Sequence, residues 1–303
     1  MTVPGVETFP GTDLYPGGPF ASTAEYWSVQ DEYTGQDIPL ATYAYNIETW
    51  GGGRQSPPPP RGADVKVPWI PGQQYVLKVP DSKTLSFSMW VVGCNPDGTA
   101  PTNGSQRSTF VRNWQMLRTL LWARQESFTL VKRFFDSQGV LRTVSGTAEF
   151  AGGLEPSMTG ATRATFQVDL LMADPFFYGD TVTIYFNTLD ASAQWNGSVL
   201  GDYYTRYCSV QATAGPSGCV NPSVSVSTSP YSTFQVGVSL APSDLLMVYG
   251  DTQQCWWNNR LTASVTHTGL KDWLTLPPGA AQINFDATSG SWSGYLNFVP
   301  VYL

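Results

Sequence analysis

The chain has 303 residues, 42% of them hydrophobic, which is enough for two modest domains or one large one and excludes disorder of the chain as a whole. Charged residues are only 13%, aromatics reach 14% with 11 Trp, and a net charge of −7 argues against nucleic acid as a general partner. Low charge with many aromatics describes either an aromatic-rich β core or a surface covered by other proteins, since interface cores carry the same bias.

Residues up to about 40 read as loop, punctuated by Pro4, Gly5, Pro10, Gly11, Pro16, Gly17, Gly18 and Pro19. Such a segment suits an arm laid on a neighbour. Met1 to Asp13 holds neither a basic region nor an apolar run, so no secretory signal is expected. No window approaches the ~20 apolar residues of a membrane helix, so no membrane insertion is expected and the protein is read as made in a cytosol.

Tyr43 to Trp50 alternates like a strand and ends in Gly51-Gly52-Gly53. The four prolines Pro57 to Pro60 then require an extended connector or a turn. Val65 to Val92 holds three strand candidates, of which Leu85 to Trp90 alternates most cleanly. One helix is predicted, about Arg107 to Arg124, with Phe110, Trp114, Leu117 and Leu121 in one arc. Phe128 to Phe134 and Val140 to Phe150 form a hairpin around Asp136-Ser137-Gln138-Gly139. Thr162 to Met172 and Val182 to Phe186 are further strands. Residues 189 to 202 lack a clear period and mark a boundary. Beyond it, short strands are predicted at 205–211, 223–227, 233–240, 244–249, 254–258, 263–267, 281–285 and 294–302. Short strands at ~8–12 residue spacing describe a β-sandwich. The organisation is therefore mainly β: an α+β domain over 1–190 with one central helix, then an all-β sandwich over 191–303.

The residues needed for chemistry are scarce. Cys94, Cys208, Cys219 and Cys255 contain no C-x-x-C pair, and with the single His267 the usual zinc patterns cannot be written. Cys208 and Cys219 flank Gly215-Pro216-Ser217-Gly218 and either face each other across a hairpin or, as unpaired cysteines commonly are, lie buried as free thiols. There is no G-x-S-x-G elbow, no phosphate-cradling P-loop and no dinucleotide-binding G-x-G-x-x-G. Asp244, Asp251, Asp272 and Asp286 stand near strand ends, where a glycosidase-like pair would have to be found, but Asp favours turns. No catalytic residue, metal or cofactor is expected, and the chain is read as not an enzyme.

Two features invite a binding role. Arg107, Arg112, Arg118, Arg124, Lys132 and Arg133 fall close together, with Glu126 the only acid among them. A solvated helix surface is the commoner outcome of such a run. Arg107 and Arg118 lie near the edge of the apolar arc, where they would meet acids of an adjacent chain, whereas Arg112 and Arg124 point elsewhere. These four arginines are the candidate subunit-interface residues. Trp256 and Trp257 are neighbours and so face opposite sides of a strand. With Trp292 they are the candidate contacts to a glycan or a protein partner.

The helical segment Arg107 to Trp122 is preceded by Arg61-Gly62-Ala63-Asp64 with Pro68 and Gly72 and by the strand to Val92; Ala173-Asp174-Pro175-Phe176-Phe177-Tyr178 follows it, and Asp272 to Gly279, Ile283-Asn284-Phe285 and Tyr295 to Leu303 come last. In order and spacing these segments resemble the helix with its preceding strand, the closing strand and the last hairpin of distal tail proteins of long, non-contractile-tailed bacteriophages. The resemblance covers about 43 to 303 and implies a hexameric ring at the tail tip, closed by an N-terminal belt domain, with an outward galectin-like sandwich. It implies the chain itself, the tail-tube protein and the tail-tip hub as partners, a place in the virion, and assembly in the bacterial cytoplasm. A carbohydrate-binding module for a host-surface glycan is the alternative.

Overall fold

The computed structural model describes residues 25–31, 34–47, 58–61, 79–102, 104–122, 127–136, 138–188, 192–227, 232–261, 265–269 and 273–303. The arm over 1–24, Gly51 to Gly53, Pro57, the stretch 62–78, Arg124, Glu126 and Asp272 lie outside these. The chain divides after Phe177: a first unit runs to that residue, taking in Leu303, and a second spans Tyr178–Tyr302. The boundary read at 190/191 is therefore moved earlier. The reason is the strand Val182–Asn187, which pairs along its length with Ser289–Phe298 of the second unit.

The first unit is built on antiparallel pairing in the order Asp37–Pro39, Tyr26–Gln30, Phe128–Phe135, Leu141–Gly153, Arg163–Met172, Lys83–Val92, Tyr45–Ile47. The hairpin around Asp136 forms as its turn residues dictate. The Asp136 carboxylate accepts backbone N–H bonds from Gln138 at 2.8 Å and Val140 at 2.9 Å, and a bond from Arg142 Nε at 2.8 Å. Reading everything up to residue 40 as loop is corrected: Tyr26–Gln30 is a strand, and its first four residues are buried. Tyr-Trp-Ser-Val shows no apolar/polar alternation because both of its faces are covered, so period-2 patterning cannot reveal it.

The helix runs Gln106–Leu121 and starts where its sequence says it should. Ser105 has an extended backbone (φ −87°, ψ 157°), and its hydroxyl accepts the Ser108 N–H at 3.2 Å, an N-cap. Phe110, Leu117 and Leu121 are buried, as the periodicity predicts, and Thr109, Asn113 and Leu120 join them. The buried Asn113 carboxamide donates to the carbonyls of Val92 and Cys94, both at 2.8 Å, and so ties the helix to the end of the Lys83–Val92 strand. The helix comes so close there that a Cβ on Gly93 would stand 2.0 Å from the Gln106 carbonyl oxygen. Only glycine fits that approach.

In the second unit two sheets share one core. One has the order Val182–Asn187, Ser289–Phe298, Cys208–Val220, Leu245–Tyr249, Gln254–Trp257, Arg260–Leu261. The other has the order Ser192–Val199, Gly279–Asp286, Ser223–Val226, Ser232–Val236, Val265–Gly269. Ile184, Val210, Leu246, Leu296 and Phe298 from the first sheet and Val224, Phe234, Ile283 and Phe285 from the second belong to one buried cluster. Phe186 stacks on Phe285 at 3.9 Å between ring centroids. The unit is thus a two-layer β structure of the kind the strand spacing predicts.

Two readings change here. Ser192–Val199 is a strand, paired with Gly279–Asp286, where the sequence showed no period. It is an edge strand, and only Val199 on it is fully buried, with Ala193 and Trp195 partly covering the core. Cys208 and Cys219 are not opposed across a hairpin. Both sit in one strand, Cys208–Val220, whose register against Ser289–Phe298 shifts between Ala214 and Cys219, so Gly215 to Gly218 is a bulge.

All four cysteines are free and buried. Burial pushes the Cys208 thiol up to about 12, with the Asp251 charge adding to it; burial alone takes Cys255 to about 12 and Cys219 to about 11. In an unfolded chain these thiols ionise near 9.0. Their contribution to stability is therefore fully present below that pH and lost as pH climbs toward the folded values. Denaturant titrations from pH 7 to 11 should show stability falling only above about 9, and thiol reagents at pH 8 should label the native protein far more slowly than the unfolded chain. Asn113→Ala leaves two buried carbonyls without their donor and should lower stability to urea by about 2 kcal/mol, with the m-value unchanged.

Candidate functional site

The basic cluster read from the sequence is dispersed by folding. Lys132 is buried and forms an ion pair with Glu25 at 3.0 Å, its ammonium lying over the rings of Phe134 at 5.1 Å and Trp27 at 5.6 Å. Arg133 pairs with Asp37 on the same sheet. Burial, reinforced by the Lys132 charge, holds the neighbouring Lys83 ammonium below its usual range. These two cations therefore serve the first unit internally.

The helix arginines behave differently. Arg107 donates to the Ala161 carbonyl and covers the Phe110 ring at 5.4 Å. Arg118 lies over the Trp122 ring at 5.3 Å. Arg112 is exposed on another side of the helix. Arg118 and Trp122, with Trp114, Phe150, Gly153, Leu154 and Pro156, line a groove of about 220 Å³ on the first unit. Trp114 is held edge-on by Phe166 at 4.9 Å. Leu154 adopts φ +66°, an uncommon conformation for a side chain of its size, and lines the groove after Gly153 at φ +92°. A Cβ on Gly153 would meet the Gln167 carbonyl oxygen at 2.2 Å. The groove was not read from the sequence because its lining comes from the helix and from a distant strand end. The glycine at 153 was its one local mark.

The three tryptophans separate. Trp292 is 2% exposed and packs on Phe186 at 4.8 Å, so its proposed role in contacting a ligand is corrected: it is a core residue. The strand phase explains this, because Trp292, Leu296 and Phe298 share the inward face. Trp257 also turns inward and packs on the core, its Nε1 donating to Asp244 Oδ2 at 2.9 Å. Trp256 faces the opposite way, as neighbours in a strand must, and is half-buried, with Nε1 donating to Gln254 Oε1 at 3.2 Å.

Of the described carboxylates near strand ends, Asp244 and Asp251 belong to turns, and Asp286 is the last residue of the strand Gly279–Asp286. Hydrogen bonds from Asn258, from Trp257 and from the Ala241 backbone N–H hold the Asp244 carboxyl below its ordinary range. Burial raises that of Asp286. Among the described residues no three His, Cys, Asp or Glu side chains are grouped to hold a metal ion. His267 lies in the strand Val265–Gly269, opposite Phe234. No helix among the described residues is long and apolar enough to cross a membrane.

No protein-family model and no curated protein matches the chain. Among solved structures it is similar to the SPP1 Dit (gp 19.1) protein, described as a paradigm of hub adsorption apparatus in phages infecting Gram-positive hosts. That match has a TM-score of 0.53 at 15% identity and covers 93% of this chain and 100% of that one. A baseplate structure of phage p2 aligns over 90% of the chain at 6% identity, and a fructosyltransferase from A. japonicus over 91% at 9% identity. Their TM-scores, 0.37 and 0.22, are too low to carry weight. The chain therefore shares its fold with a phage Dit protein.

Truncation separates the core tryptophan from the surface one. Trp292→Ala should destabilise the protein by about 3–5 kcal/mol in denaturant unfolding, and Trp256→Ala by about 1 kcal/mol.

Proposed function

We propose that this chain is a structural component of a bacteriophage tail, a ring-forming distal tail protein that joins the tail tube to the tail-tip hub. The observation that carries the reading is the likeness of fold, which takes in the whole SPP1 Dit chain and 93% of this one. Two sequence properties support it: the scarcity of charge and the wealth of aromatics suit a subunit whose surfaces are covered by neighbours.

In this reading the first unit is the belt that closes a six-membered ring, and the second is a galectin-like sandwich. Of the candidate arginines, Arg107 and Arg118 stand at the contact between copies. The groove beside Arg118 and Trp122 offers that contact an apolar anchor with a charge at its rim, the composition that concentrates binding energy at interfaces. The partners are further copies, the tail-tube protein and the hub. The protein works in the virion at the tail tip after assembly in the host cytoplasm, and it has no catalytic role.

Light scattering across a concentration series and two salt levels tests this. The expected result is a mass of six copies of the 33.1 kDa chain, with Arg118→Glu shifting the distribution toward smaller species. A chain that stays at 33.1 kDa throughout and is absent from purified tails overturns the reading.

A further inference from the structure

The first sheet of the second unit has an outer face that the core does not use. Its inward positions are Ile184, Val210, Leu246, Cys255, Leu296 and their neighbours. The alternate positions point outward, and at those no Asp, Glu, Lys or Arg occurs along the six strands from Val182–Asn187 to Arg260–Leu261. In a chain of net charge −7 this face is neutral.

One row crosses it at right angles to the strands. Tyr185 stands opposite Tyr295, Tyr295 opposite Gln211, Gln211 opposite Met247, Met247 opposite Trp256, and Trp256 opposite Leu261. With strands spaced ~4.8 Å apart, the row runs roughly 24 Å. Tyr185 is 79% exposed and Leu261 61%. The rings are held in place: Tyr185 meets Tyr295 at 6.2 Å between centroids, and the Tyr295 hydroxyl donates to Gln211 Oε1 at 2.6 Å. Thr183, Asn297, Ser209 and Gln254 flank the row on one side and Asn187, Ser293 and Thr213 on the other, while beside Met247 the flanking positions are Tyr249 and Leu245.

We propose that this face binds a neutral polysaccharide, laid across the strands along the row from Tyr185 to Leu261. A sugar chain is one ring wide, has apolar C–H faces to set on the aromatic and thioether groups, and carries hydroxyls along both edges to meet the flanking amides and hydroxyls. Charge decides against other ligands. A polyanion or a charged protein patch would lose hydration here and meet a single charge, the exposed Arg260 beside Leu261 at one end of the row. A stable protein interface buries about 800 Å² per partner around a broad apolar core, whereas this stripe is widened only beside Met247, by Tyr249 and Leu245, and is otherwise edged by amides and hydroxyls. The site uses Trp256, while Trp257 and Trp292 face away from it. It stands independently of the ring reading.

The test is affinity electrophoresis and Trp fluorescence of the full-length chain with neutral dextran, galactan and mannan, and with dextran sulfate as the charged counterpart. At least one neutral polymer should retard the protein and shift its Trp emission, with dextran sulfate weaker. Tyr185→Ala and Trp256→Ala should each weaken binding about tenfold or more, while Tyr207→Ala, exposed but outside the six strands, leaves it unchanged. Tyr185→Ala, at a largely exposed position, keeps the test valid if Trp256→Ala fails to fold. The oligomeric mass of Tyr185→Ala should equal that of the parent, which separates this proposal from the ring. Three outcomes would overturn it: no neutral polymer binding at millimolar sugar, dextran sulfate binding as well as dextran, or Tyr185→Ala changing the oligomeric mass because a second copy covers the face.

Discussion

The first unit depends on how one helix is seated. Asn113 sends its carboxamide between two backbone carbonyls at the end of a strand, and Gly93 lets the helix approach until no Cβ would fit. A buried amide satisfied in this way is specific in rotation as well as position, because a turn of the helix would break both bonds and bury the polar group alone. Rotation in turn decides what the helix presents outward. With Phe110, Leu117 and Leu121 committed inward, Arg112, Met116 and Trp122 are left on the surface and Arg118 reaches the Trp122 ring. The groove follows from that seating.

The second unit follows a different logic. Its core is filled from both sheets by aromatic and β-branched side chains, with three buried thiols acting as small apolar groups rather than as reactive ones. Strand alternation then obliges every inward residue to have outward neighbours. On a sheet that merely faces solvent those would include charges. Here the outward positions of the six ordered strands of the larger sheet carry aromatic, thioether, leucine, amide and hydroxyl groups and no charge.

Much of the architecture was legible in the chain. The helix from its apolar arc, the Asp136 hairpin, the Arg163–Met172 strand and the series of short C-terminal strands all follow from local pattern, because periodicity and turn chemistry are local properties. Other elements were not legible, three of them for a physical reason that can be named. Tyr26–Gln30 is covered on both faces and does not alternate. Ser192–Val199 is an edge strand whose apolar side includes Ala and Gly. Gly215 to Gly218 has the composition of a turn, yet it is a bulge because the strand continues past it against Ser289–Phe298.

The site was legible only in residue type. The sequence by itself determined that the chain is mainly β with one helix, that it lacks the common catalytic and nucleotide-binding motifs, and that its arginines and tryptophans are the groups to watch. These follow from composition and short-range pattern. Tertiary structure decided which of them reach a surface. It put Trp292 and Trp257 inward and Trp256 outward, gave Lys132 and Arg133 acids of their own, and assembled a neutral row from Tyr185 to Leu261 out of six strands scattered along the second unit. Pairing partners and strand phase are set by long-range hydrogen bonding and by burial of a shared core, and no local reading of residues contains them.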